Sequence, residues 1–128
     1  MRHDPLADLF VIIKNTESIG KKTCTAPASK LAHNVLKIMK ERGYIGGFKY
    51  NEDGRGGTFM VSLIGKINDC NVIKPRFSIK DGEFIKWEKR YLPATDVGIL
   101  ILTTDKGVMD QHMARKKKTG GKLLGFVY

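Results

Sequence analysis

Thr103, Thr104, Asp105, Lys106 and Gly107 follow an apolar run, Val97 to Leu102, and read as the turn after a buried strand. Arg115, Lys116, Lys117 and Lys118 then come as consecutive cations, and Thr119, Gly120, Gly121 and Lys122 lead into a last apolar run ending at Tyr128. Small hydroxyls and backbone amides on a rigid turn, beside dense positive charge, suit a phosphate backbone better than a small substrate. Hydroxyls and amides also meet base edges and ribose 2′-OH groups, which lets a protein tell RNA from DNA. A charge run by itself is usually a solvated face. Here the adjoining threonines and the glycine pair, which allows close backbone approach, argue for a structured-RNA binder.

Two further places could touch phosphate. Ser29 and Lys30 follow Pro27-Ala28 at the start of a helix. Ser29 is a helix cap, and the free amides of that end, with Lys30, attract an anion. Lys14 and Asn15 lie near the end of the first helix, where Lys14 reads equally as a solvated cation or a phosphate contact.

Other chemistries lack their residues. His3, His33 and His112 do not cluster, so no metal site or catalytic pair arises from them. A nuclease or hydrolase built on Asp53, Asp81 or His112 has no recognisable spacing. The two cysteines, Cys24 and Cys70, are too far apart for zinc-ribbon spacing; they allow one disulfide, but two thiols of a reducing compartment are the better reading. Gly54-Arg55-Gly56-Gly57 is too short for a phosphate-binding fingerprint and reads as a hairpin turn. Trp87 and Tyr91 stand four apart on a short helix and read as core. No RNP-type aromatic motif is present.

The charge agrees with a polyanionic partner. Of 128 residues, 23 are Lys or Arg and 13 are Asp or Glu, a net charge of +10. Residues 1–42 hold eight cations against four anions and residues 97–128 hold six against two, so the two ends are the basic regions. No apolar run reaches the roughly eighteen residues of a membrane span. Arg2, Asp4 and Asp8 make the start unlike a signal peptide.

These residues need elements to hold them. Asp4-Pro5 starts a helix with an apolar face of Leu6, Leu9, Phe10 and Ile13. Lys21–Thr25 reads as a strand. Pro27 and Ser29 open a second helix with the stripe Leu31, Val35, Ile38 and Met39, closed by Gly43. Tyr44–Tyr50 and Thr58–Leu63 form a hairpin. Gly65–Ile73 reads as a linker, Pro75–Ile79 as a strand, and Glu83–Leu92 as a short helix stopped by Pro93. Strand, turn, short helix and strand complete the chain. The reading is α+β in two small packed domains: an N-terminal αβαββ domain over 1–64, and over 65–128 a mostly β domain with a short helix that carries the main RNA-binding turn.

The order of several pieces resembles a known family. They are Asp4-Pro5-Leu6-Ala7-Asp8 with Ile13-Lys14-Asn15, Pro27-Ala28-Ser29-Lys30, Gly43-Tyr44-Ile45, Gly98–Thr104 through Lys106–Met109, Ala114-Arg115, and Gly120-Gly121 to Tyr128. Together they resemble the ribosomal protein S-eight family over essentially the whole chain. Gly43–Gly46, Lys74–Phe77, Trp87 and Lys117–Phe126 are of the eukaryotic or archaeal type, with the ending closer to the eukaryotic one. The resemblance implies a non-enzymatic small-subunit protein that binds the central domain of small-subunit rRNA early in assembly, beside neighbouring small-subunit ribosomal proteins. No cofactor, membrane or small-molecule substrate is implied. The location would be the cytoplasmic ribosome, with nucleolar assembly if eukaryotic. The resemblance also assigns the main RNA-reading turn to Thr103–Gly107, with support from the first helix and from Ser29 and Lys30. Asp105 departs from the family, which has a small hydroxyl residue there. Its carboxylate could accept from a base amino group, bond the turn or point away; the expectation is that it turns back onto its own turn's amides. A regulator acting off the ribosome, on a messenger that mimics the rRNA site, would use the same residues.

Overall fold

Asp4 has an extended backbone and its side chain accepts from the Ala7 amide, with Pro5 in the first helical position, so α1 (Pro5–Ser18) starts as the residue types require. The computed structural model describes residues 4–52, 54, 56–94 and 97–128. His3, Asp53 and Arg55 lie outside these. After α1 come β1 (Thr23–Pro27), α2 (Lys30–Glu41), β2 (Ile45–Asn51) and β3 (Thr58–Leu63). The three strands form an antiparallel sheet in the order β1-β3-β2. On β3, Phe59, Val61 and Leu63 are buried while Met60 and Ser62 are exposed, the alternation of a sheet covered on one face. Helices α1 and α2 supply the cover with Leu6, Leu9, Phe10 and Ile13 from one and Ala32, Val35, Leu36 and Met39 from the other.

The chain divides into two units between Asn71 and Val72. Residues 65–71, read as linker from composition, are fastened to the first unit. The Ile67 amide donates to Glu17 Oε2 at 3.1 Å, and the Cys70 thiol to the Phe10 carbonyl at 3.6 Å. A short strand, β4 (Cys70–Val72), ends the stretch. Two other boundaries move. The first strand runs two residues later than expected, with Pro27 closing β1 rather than opening α2. Only Ser78–Ile79 of the expected Pro75–Ile79 strand forms, as β5.

The second unit continues with α3 (Phe84–Tyr91), β6 (Ile99–Thr104), β7 (Gly107–Asp110), α4 (Gln111–Lys116) and β8 (Gly121–Val127). Strand β6 lies between β7 and β8, antiparallel to both, and β5 pairs with β8. Ile99, Leu100, Ile101 and Leu102 are all buried, as a continuous apolar run on a central strand should be. Leu100 and Leu102 share a core with Ile79, Phe84, Trp87, Met109 and Leu123. The architecture is α+β, as the sequence predicts.

Candidate nucleic-acid interface

Register in the second sheet decides which candidate residues meet. Thr103 stands opposite Val108 on β7 and Lys122 on β8; Thr104 stands opposite Gly107. Ser78 also faces Lys122. The end of β6, the start of β7 and the start of β8 therefore share one edge of the sheet. Helix α4 runs directly into that edge through Lys117, Lys118 and Thr119. Thr103, Thr104, Asp105, Lys106, Gly107, Lys118, Gly120, Gly121 and Lys122 thus form one cluster, with Lys116 and Lys117 exposed beside it.

The turn holds itself together through Thr104. Its hydroxyl donates to the Gly107 carbonyl at 2.8 Å and accepts from the Lys106 amide at 3.1 Å. The half-buried Thr103 hydroxyl has no hydrogen bond to a described residue. Asp105 does not turn back onto its own amides. The Thr104 oxygen already takes the Lys106 amide, and the Asp105 carboxylate instead accepts from the Thr119 hydroxyl at 3.4 Å. That bond ties the 103–107 turn to the segment leaving α4.

The glycine pair has a different physical reason from the one its composition suggests. A Cβ on Gly120 would sit 2.2 Å from the Ile79 carbonyl oxygen, and one on Gly121 would sit 2.2 Å from that of Thr103. The close backbone approach is to the protein's own strands β5 and β6. Helix α4 ends with the Thr119 amide donating to the Ala114 carbonyl at 3.0 Å and the Lys118 amide to the Arg115 carbonyl at 3.2 Å. This is the Schellman pattern, and Lys118 occupies its left-handed position at φ 54°, where glycine is usual.

Arg115 is engaged within the protein. Its guanidinium donates to Glu88 Oε1 at 2.5 Å; the Glu88 side chain is 3% exposed and that of Arg115 42%. Arg115 also lies over the Phe84 ring at 5.7 Å. Sequence reading missed this partner because Glu88 is 27 residues away and looks like an ordinary charge on a short helix.

In the first unit, Ser29 caps α2 by accepting from the Ala32 amide at 3.0 Å, and Lys30 is exposed beside it. Lys14 pairs with Asp69 Oδ1 at 3.0 Å, which offsets its charge, while Asn15 is exposed. Cys24 and Cys70 are free thiols. Burial, with Asp69 adding to it, pushes Cys70 up to about 12, and burial also raises Cys24, so both stay protonated at neutral pH. Among the described residues no group of three or more His, Cys, Asp or Glu could hold a metal ion, and no helix is long and apolar enough to cross a membrane.

Lysines, threonine hydroxyls and a rigid turn gathered on one sheet edge of a basic α+β protein form a surface of the kind that suits a structured RNA. Comparison with known proteins narrows the class. The family model described as ribosomal protein S8 matches residues 4–128. A small ribosomal subunit protein uS8 from Methanococcoides burtonii is 58% identical over 126 residues, covering 98% of this chain and 97% of its own. Another uS8, from Archaeoglobus fulgidus, is 56% identical over 129 residues, covering 100% of both. The chain belongs to the ribosomal protein S8 family. It is a structural, non-enzymatic ribosomal protein whose ligand is rRNA. Both relatives are archaeal, so they lend nothing to the eukaryotic leaning of the ending or to nucleolar assembly.

Proposed function

We propose that the protein binds the central domain of small-subunit rRNA through the sheet edge of its second unit and so supports assembly of the small subunit in the cytoplasm, beside neighbouring small-subunit proteins. The observation that carries this reading is the strand register, which sets Thr103 opposite Lys122 and Thr104 opposite Gly107 at the outlet of a lysine-rich helix. Phosphates take the lysines; the Thr103 hydroxyl and turn amides read local RNA shape. Ser29, Lys30, Lys14 and Asn15 extend the contact to the first unit, with Lys14 contributing least because of Asp69. Arg115 acts mainly by holding Glu88.

Replacing Lys116 and Lys117 with Ala and Lys118 with Gly tests the reading, glycine being chosen because φ at 118 is 54°. Filter binding should show all RNAs weakened by similar factors, with a log–log salt slope shallower by roughly two. Loss confined to the cognate rRNA would assign base reading to the lysines and contradict the proposal.

A further inference from the structure

The first unit holds an aromatic-walled cleft with the phosphate-contacting Ser29 and Lys30 at its rim and an interior that those contacts do not use. It encloses about 340 Å³ between the first turn of α2 and the outer end of the β2–β3 hairpin, lined by Ala28, Ser29, Lys30, His33, Tyr50 and Phe59. Tyr50 and Phe59 are direct partners across the hairpin, so their side chains share a face of the sheet. Helix α2 begins at Lys30 and leaves that end of the face open. Phe59 is 4% exposed and makes the floor, while Tyr50 is 52% exposed and makes one wall. The Tyr50 ring stands 5.9 Å from Phe59 at 68°; the His33 ring stands 6.0 Å from it at 43°.

The exposed wall is fixed in place. Tyr50 Oη donates to Glu52 Oε2 at 2.8 Å, and Glu52 Oε1 accepts from the Gly54 amide at 3.0 Å. Gly57 lies against the ring: a Cβ there would be 2.3 Å from Tyr50 Oη, and φ is +86°. The Glu52 carboxylate is thus engaged within the hairpin. Lys30, at the rim, is exposed and makes no ion pair with a described residue. A mostly apolar cleft lined by inclined aromatic rings, with an exposed lysine at its mouth, matches a nucleotide: π-surface for the base, ammonium for the phosphate.

We propose that this cleft receives one unpaired nucleotide of the rRNA, its base packed among His33, Tyr50 and Phe59 and its phosphate at Lys30. The proposal rests on the RNA-binding reading above and adds a base contact to the phosphate contacts of the first unit. Chemical probing of unpaired bases in small-subunit rRNA, with filter binding, tests it on the full chain. The double variant His33→Leu, Tyr50→Leu should bind roughly tenfold more weakly and leave one unpaired base reactive that wild type protects, with the rest of the footprint intact. The pair His33→Phe, Tyr50→Phe should restore that protection. Lys30→Ala, a change at an exposed side chain, should also weaken protection of the same base, and it carries the test if the leucine pair folds poorly. Wild-type protection in the folded leucine pair or in Lys30→Ala would overturn the proposal and leave the cleft to a protein neighbour. Absence of any footprint with wild type would instead remove the RNA-binding reading on which it depends.

Discussion

The Thr104 hydroxyl is engaged twice inside its turn, whereas Thr103, one residue earlier, has none of its hydroxyl capacity taken up by a described residue. Valine at either position removes one hydroxyl at nearly constant volume. Thr104→Val should cost about 1–2 kcal/mol of stability, two modest hydrogen bonds lost from an exposed turn, and leave the RNA preference of the folded protein unchanged. Thr103→Val should do the reverse: an unaltered melting temperature and weaker discrimination between cognate and unrelated RNA. Parallel melts and competition binding of the two variants check this. Equal behaviour would mean the register does not separate their roles. That the chain turns just after two threonines ending an apolar run was legible in sequence. Which of them serves the turn was not, because that depends on where the Gly107 carbonyl lies after the chain reverses. Asp105 was misread for the same reason: its partner, Thr119, is 14 residues away and arrives only through the outlet of α4.

Helix α4 looks from sequence like a carrier of four cations, but the cations differ in kind. Arg115 on its inner side compensates the buried Glu88 of α3; Lys116, Lys117 and Lys118 face outward. Removing one partner of a buried pair strands the other charge. Arg115→Ala should therefore destabilise the protein by about 2 kcal/mol, less than for a fully enclosed pair because the arginine is 42% exposed. Urea unfolding would register it, and RNA binding by the folded fraction should change much less. A large affinity loss at unchanged stability would move Arg115 from support to contact. The helix caps at Asp4 and Ser29 and the hairpin were legible because they rest on local chemistry within a few residues. The 65–71 segment was not: its glycine and polar residues look like a linker, and only the long-range bonds of Ile67 and Cys70 to α1 show that it is held.

Across the whole chain, a net charge of +10 calls for a polyanion or counterions to neutralise it, and its concentration at the two ends was visible in the sequence. Composition could not show that the carboxy-terminal part gathers its candidates on one sheet edge, since strand register is set by alternation and turn geometry together. Nor could it show the aromatic cleft, because His33, Tyr50 and Phe59 come from three elements and none forms a motif with another in sequence. Specific recognition of small-subunit rRNA differs from the attraction of a basic protein to any polyanion. Hydroxyl-radical footprinting of the protein-free small-subunit rRNA, with and without the chain at physiological salt, tests it most directly. A compact set of backbone protections confined to the central domain is the result the structure calls for. Protections scattered over all domains, or none at this salt, would contradict it.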